Sequence, residues 1–83
     1  MAGPRRTKPR FDNSMPDIAR IGRAFAGRRI ALRLTQQTLA DLAGVSRSSV
    51  QSLERGSGSV KLGSVVEIAD ILGLRIDVST AAE

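Results

Sequence analysis

The chain has 83 residues, enough for one small domain near the size at which a lone core is only marginally stable. With two Phe and no Trp, Tyr, His or Cys, its core must be aliphatic, and disulfides, thiolate metal sites and histidine catalysis are excluded. The net charge of +5 points to a polyanionic partner, and its placement says more than its size.

Arg5, Arg6, Lys8 and Arg10 give the first ten residues +4, and seven arginines against Asp41 and Glu54 give residues 20–55 +5, whereas residues 11–19 and 56–83 each come to −2. Cations therefore gather on the N-terminal residues and the middle of the chain, as a footprint for phosphate requires. The carboxylates stand singly, with neither a nucleophile and base nor a metal-ligand cluster among them, so no enzyme activity, cofactor or metal is expected. No apolar run approaches a membrane span and no signal-peptide core is present, so the expected location is the bacterial cytoplasm, with the nucleoid.

Residues 1–15 mix Pro4, Pro9 and Gly3 with basic residues and have no apolar period, which predicts a disordered basic arm. Such an arm suits non-specific attraction to DNA; a solubilising tail or a partner-binding segment would have the same composition. A first helix is expected from Pro16, a residue suited to a first turn, with Asp17 favourable at its positive end. Ile18, Ile21, Phe25 and Leu32, helped by Ala24 and Ala31, mark its expected inward face, with Phe25 as a core plug.

The centre of the chain, from Thr35 to Gly56, has the punctuation of two short helices joined by a glycine turn. Thr35 is a natural cap for a helix over Gln36 to Ala43, where Leu39, Leu42 and Ala43 recur on one face. Gly44 suits the left-handed residue that ends a helix, Val45 plugs the corner, and Ser46 caps a further helix running to Gly56. On that helix Val50 and Leu53 fall on one side, while Ser48, Gln51, Ser52 and Arg55 fall on the other, flanked by Arg47. An apolar back and a small, polar, cationic front suit a helix entering the major groove; the same pattern also suits a helix pair with a solvated face.

Gly56 to Ser59 reads as a short loop. A last helix with a weak N-terminal cap is expected from about Leu62 to Leu72, facing the bundle through Leu62, Val65, Val66, Ile68, Ala69 and Leu72. Beyond Gly73, Leu74, Ile76 and Val78 alternate with Arg75, Asp77 and Ser79, the period of a strand. Nothing else in the chain reads as a strand, so its partner is expected from a second copy; a frayed tail is the other reading.

Thr35, Gln36, Leu39, Ala40, Gly44, Val45, Ser46, Val50, Leu53, Glu54 and Gly56 together resemble the pattern of the lambda-repressor/Cro-type (XRE) helix-turn-helix family. The match extends to Ile21, Gly22 and Arg29 on one side and to Leu62, Ile68, Ala69, Leu72, Gly73 and Leu74 on the other. The resemblance implies an all-α bundle of four to five helices over residues 16–74; the alternation beyond it, unusual for a plain repressor domain, makes residues 75–83 the expected dimerisation strand and tail. It implies that Gln36 touches the DNA backbone and supports base contacts, that Arg47, Ser48 and Ser52 read bases, and that Ser46, Ser49, Gln51 and Arg55 make neighbouring polar or phosphate contacts. It also implies a structural pair between Arg29 and Glu54. Two residues depart from the pattern: Arg28 stands where an apolar residue is usual, implying a thinner core, and Arg33 where glycine is usual, implying a mildly strained turn or one more phosphate contact.

The expected function is a sequence-specific DNA-binding repressor, a homodimer through residues 74–79 on an inverted-repeat operator. The terminal strand adds a resemblance to HipB-like antitoxins, which implies autoregulation and a toxin partner such as a HipA-type kinase. The alternative is a stand-alone phage-type or restriction-modification controller without a toxin.

Overall fold

The computed structural model describes residues 16–81. The basic arm and the last two residues lie outside the described residues. Four helices follow one another: α1 (Pro16–Ala31), α2 (Gln36–Ala43), α3 (Arg47–Glu54) and α4 (Leu62–Leu72). Among the described residues there is no strand, and no helix is long and apolar enough to cross a membrane.

Local chemistry sets the boundaries. The Thr35 side chain accepts the Thr38 N–H at 3.0 Å and opens α2; Gly44, at φ 72°, closes it in the left-handed conformation. Ser46 accepts the Ser49 N–H at 3.1 Å and opens α3. That helix ends at Glu54, two residues earlier than the sequence suggests, because the Ser57 N–H bonds back to the Ser52 carbonyl and Gly56 takes the left-handed turn. The weak cap expected for α4 is present: Lys61 precedes it without a side-chain bond.

The core is aliphatic apart from Phe25, and Leu39, Val50, Ile68 and Leu72 at its centre are fully buried. Leu34, Val45, Val60, Val65 and Leu74 close its edges. Several apolar residues expected to face inward do not. On α1 the inward face is Gly22 and Phe25 with half-buried Ile18, Ala26 and Arg29, while Ile21 is 39% and Leu32 40% exposed and Ala24 and Ala31 are also outside. The reason is close packing: the small residues let α3 come near, and α1 turns that side toward it. On α2 the buried residues are Leu39, Ala40 and Ala43, leaving Leu42 57% exposed, because α2 packs on both α3 and α4. On α4 Leu62 and Val66 lie outside as well, since Ile68, Ala69 and Leu72 already fill the contact.

Arg28, expected to thin the core, has a different use. Its Nε donates to the Leu72 carbonyl at 2.8 Å and so satisfies an end group of α4 from the side of α1. Past Gly73 the chain is irregular rather than a strand over residues 74–80. Leu74 is half-buried against the core, but the outer residues of the alternation, Ile76 and Val78, have no second strand among the described residues to pair with.

Candidate nucleic-acid interface

α3 lies with Val50 and Leu53 in the core and the rest of its surface outward. Arg47, Ser48 and Arg55 are exposed, and Gln51 and Ser52 half-buried, so the polar face expected of a recognition helix is present. Three hydroxyls are linked at its start: Ser46 Oγ is 3.1 Å from Ser48 Oγ and 2.9 Å from Ser49 Oγ. Ser46 Oγ is therefore partly committed to capping the helix, while Ser48 is exposed and Ser52 half-buried on the outward face.

One carboxylate positions the approach. Glu54 Oε2 accepts from Arg29 Nε at 2.6 Å, and its Oε1 accepts from Arg29 Nη2 and from Gln36 Nε2, each at 3.0 Å. Arg29 Nη1 donates in turn to the Leu34 carbonyl at 2.8 Å. Residues of α1, α2 and α3 thus meet at a single group, and the Arg29–Glu54 pair implied by the sequence resemblance is bidentate. Burial by itself would push the Glu54 carboxyl up; hydrogen bonds from Arg29 and Gln36, with the Arg29 charge, hold it below the usual glutamate value. The hydrogen bond to Glu54 likewise raises Arg29, against the opposing effect of burial. Gln36 spends one amide proton on this bond, which fixes its rotamer, and keeps its second for a ligand.

Around these groups the surface is polar and cationic. Gln36, Gln37, Thr35 and Arg47 line one depression, and Gln36, Gln51, Arg55, Glu54 and Ala26 an adjoining one. Arg33, Arg47 and Arg55 are exposed, and none has a carboxylate partner among the described residues. By contrast Arg20 is paired with Asp17 at 3.0 Å.

Arg33 sits in the turn after α1 at φ 60°, where its N–H bonds the Ile30 carbonyl at 2.9 Å and the next N–H bonds that of Arg29 at 3.1 Å. This is the left-handed residue that ends α1, a place where a side chain costs about 1 kcal/mol. Arg33→Gly is expected to stabilise the fold by about that much in a thermal melt. The same change removes an exposed cation and is expected to weaken DNA binding, so the two effects are read separately.

Not every residue near α3 was visible in the sequence. Ser59, Val60, Lys61 and Ser64 share a shallow cleft with Ser48, Ser49 and Ser52. Their proximity comes from the return of the loop toward α3, and the only local signal is a lysine directly before a helix that has no side-chain cap.

Residues 26–79 match the family described as Helix-turn-helix. Over 59 residues, 71% of the chain, the sequence is 39% identical to an uncharacterized transcriptional regulator in the ATPase CF(0) region of Rhodospirillum rubrum, and the chain spans 55% of that relative's length. The fold is similar to the crystal structure of the restriction-modification controller protein C.AhdI from Aeromonas hydrophila, with a TM-score of 0.66 and 35% identity over 72% of this chain and 91% of that one. Capped helix pair, part-buried Arg29–Glu54 pair and family match agree: this chain belongs to the lambda-repressor/Cro-type (XRE) helix-turn-helix family of DNA-binding proteins.

Proposed function

We propose that the chain is a sequence-specific transcriptional regulator that reads the major groove with α3. The observation that carries this reading is Arg47: it is exposed at the start of α3, has no carboxylate partner among the described residues and shares a depression with Gln36, itself held by Glu54. Arg47, Ser48 and Ser52 serve as the base-reading side chains, with arginine suited to guanine. Gln36, Ser46, Ser49, Gln51, Arg55 and Arg33 serve as phosphate or supporting contacts.

Arg47→Ala is expected to reduce binding by about 1–2 kcal/mol at one base position while leaving binding to unrelated duplex little changed. Competition titrations against a base-substituted operator measure this, and an equal loss on operator and unrelated DNA would remove Arg47 from base reading.

The active form is a homodimer. Two copies of α3 about 34 Å apart meet successive major grooves, which selects an inverted repeat. Residues 74–79 are the proposed junction between copies: Ile76 and Val78 are exposed, and their backbone groups would be satisfied by a second copy. Residues 1–15 serve as the basic arm and residues 16–74 as the DNA-binding unit.

Of the two biological roles, we favour a stand-alone controller-type repressor, supported by the likeness to a restriction-modification controller at 35% identity. The antitoxin role rests on the alternating residues after Gly73. Co-expression with the product of the adjacent gene separates them. A fixed-ratio complex that relieves toxicity establishes an antitoxin; no complex, together with tight and salt-sensitive binding to upstream DNA, establishes the stand-alone regulator.

A further inference from the structure

The exposed cation Arg23 lies on the stretch of α1 that passes the C-terminal end of α3. Three close approaches fix how α1 runs past that end. A side chain on Gly56 would begin 2.9 Å from the Ala19 Cα. One on Gly22 would overlap the Leu53 carbonyl oxygen and stand 3.0 Å from that of Glu54. Ala26 shares a depression with Gln51 and Arg55. Ala19, Arg23 and Ala26 follow one another at helical spacing on one side of α1, so Arg23 lies between the position that meets Gly56, just past α3, and the one that shares a depression with Gln51 and Arg55.

Arg23 is exposed and has no carboxylate partner among the described residues, and the same is true of Arg55. Two exposed guanidinium groups on adjoining stretches, neither engaged in an ion pair among the described residues, leave positive charge that a shared anion would offset. The nearest carboxylate on that side, Glu54, is already saturated by Arg29 and Gln36.

We infer that Arg23 and Arg55 together clamp a backbone phosphate of duplex DNA where α3 leaves the groove, so that α1 contributes directly to the DNA contact. This rests on the reading that the outer face of α3 meets DNA. Phosphate is the chemistry two unpaired guanidinium groups select, and a contact of that kind holds the protein on the duplex without carrying sequence information.

The structural alternative is that Arg23 only compensates the negative end of the α3 dipole. The two separate cleanly in Arg23→Gln. For the full-length variant, binding to a mixed-sequence duplex is titrated across a range of salt concentrations beside wild type and Arg47→Ala, and each protein is melted without DNA. A phosphate contact predicts a salt slope shallower by about 0.9 for Arg23→Gln, the same proportional loss on any duplex, and an unchanged melting temperature. A wild-type slope, or a lowered melting temperature with the slope retained, overturns the inference and leaves the α3 reading standing. If wild type itself shows no salt-dependent binding, the α3 reading falls and the clamp with it.

Discussion

Replacing Glu54 with alanine is expected to lower the stability of the folded chain by about 3 kcal/mol. The Glu54 side chain is only 8% exposed and the Arg29 side chain 15%, so truncation leaves a guanidinium largely out of water without its counter-charge, and Gln36 without its partner. Three helices lose their common tie in one substitution, in a domain too small to absorb the loss. The pair also makes stability depend on pH, in one direction. Glu54 titrates lower in the folded chain than in the unfolded one, so over the interval between the two values the unfolded state holds more protons and stability rises with pH. The contribution is complete above the ordinary glutamate range and is lost as pH falls through the lower folded value. Thermal melts across this acid range should show that loss in wild type and not in Glu54→Gln. A Glu54→Ala protein that melts with wild type would mean that the tie contributes nothing.

Gly22→Ala is expected to cost about 3 kcal/mol even though alanine is the better helix former. The added methyl would occupy the space of the Leu53 carbonyl oxygen, which belongs to backbone and cannot rotate away, so α1 and α3 must separate. Gly27, five residues further along the same helix, has nothing within 4 Å of the equivalent position. Gly27→Ala is therefore expected to stabilise by up to about 1 kcal/mol. Opposite signs in parallel urea melts would identify close packing as the cause. A neutral Gly22→Ala would show that the two helices have room to spare. Because Gly22 lies under the last turn of α3, the destabilised variant is also expected to lose DNA binding.

Capping chemistry made the helix boundaries readable from sequence. Thr35, Gly44, Ser46 and Gly73 each act through a backbone bond within a few residues, and such bonds depend little on the rest of the fold. The buried faces were read less well. An apolar count favours Ile21, Leu32, Leu42 and Leu62, but the contact on α1 is made by Gly22 and Ala26, whose value is that they are small. Smallness matters only once another backbone is known to arrive. The Arg29–Glu54 tie followed from family resemblance rather than spacing, since no local rule joins residues 25 apart. Arg28 and Lys61 were opaque for a similar reason: one reaches the end of α4 and the other the cleft beside α3, and both depend on how the helices return on themselves. The alternation after Gly73 suggests a strand by its period alone, and among the described residues that stretch is irregular.

The stretch that the family match covers is shorter than the stretch that must fold. The family match begins at residue 26, inside α1. Gly22 and Phe25 are buried, and Ile18 and Ala19 half-buried, ahead of that point. A fragment trimmed to the shared region would keep every residue of α2 and α3 and still fail as a DNA reader, because the backing against which α3 is held would have been cut away.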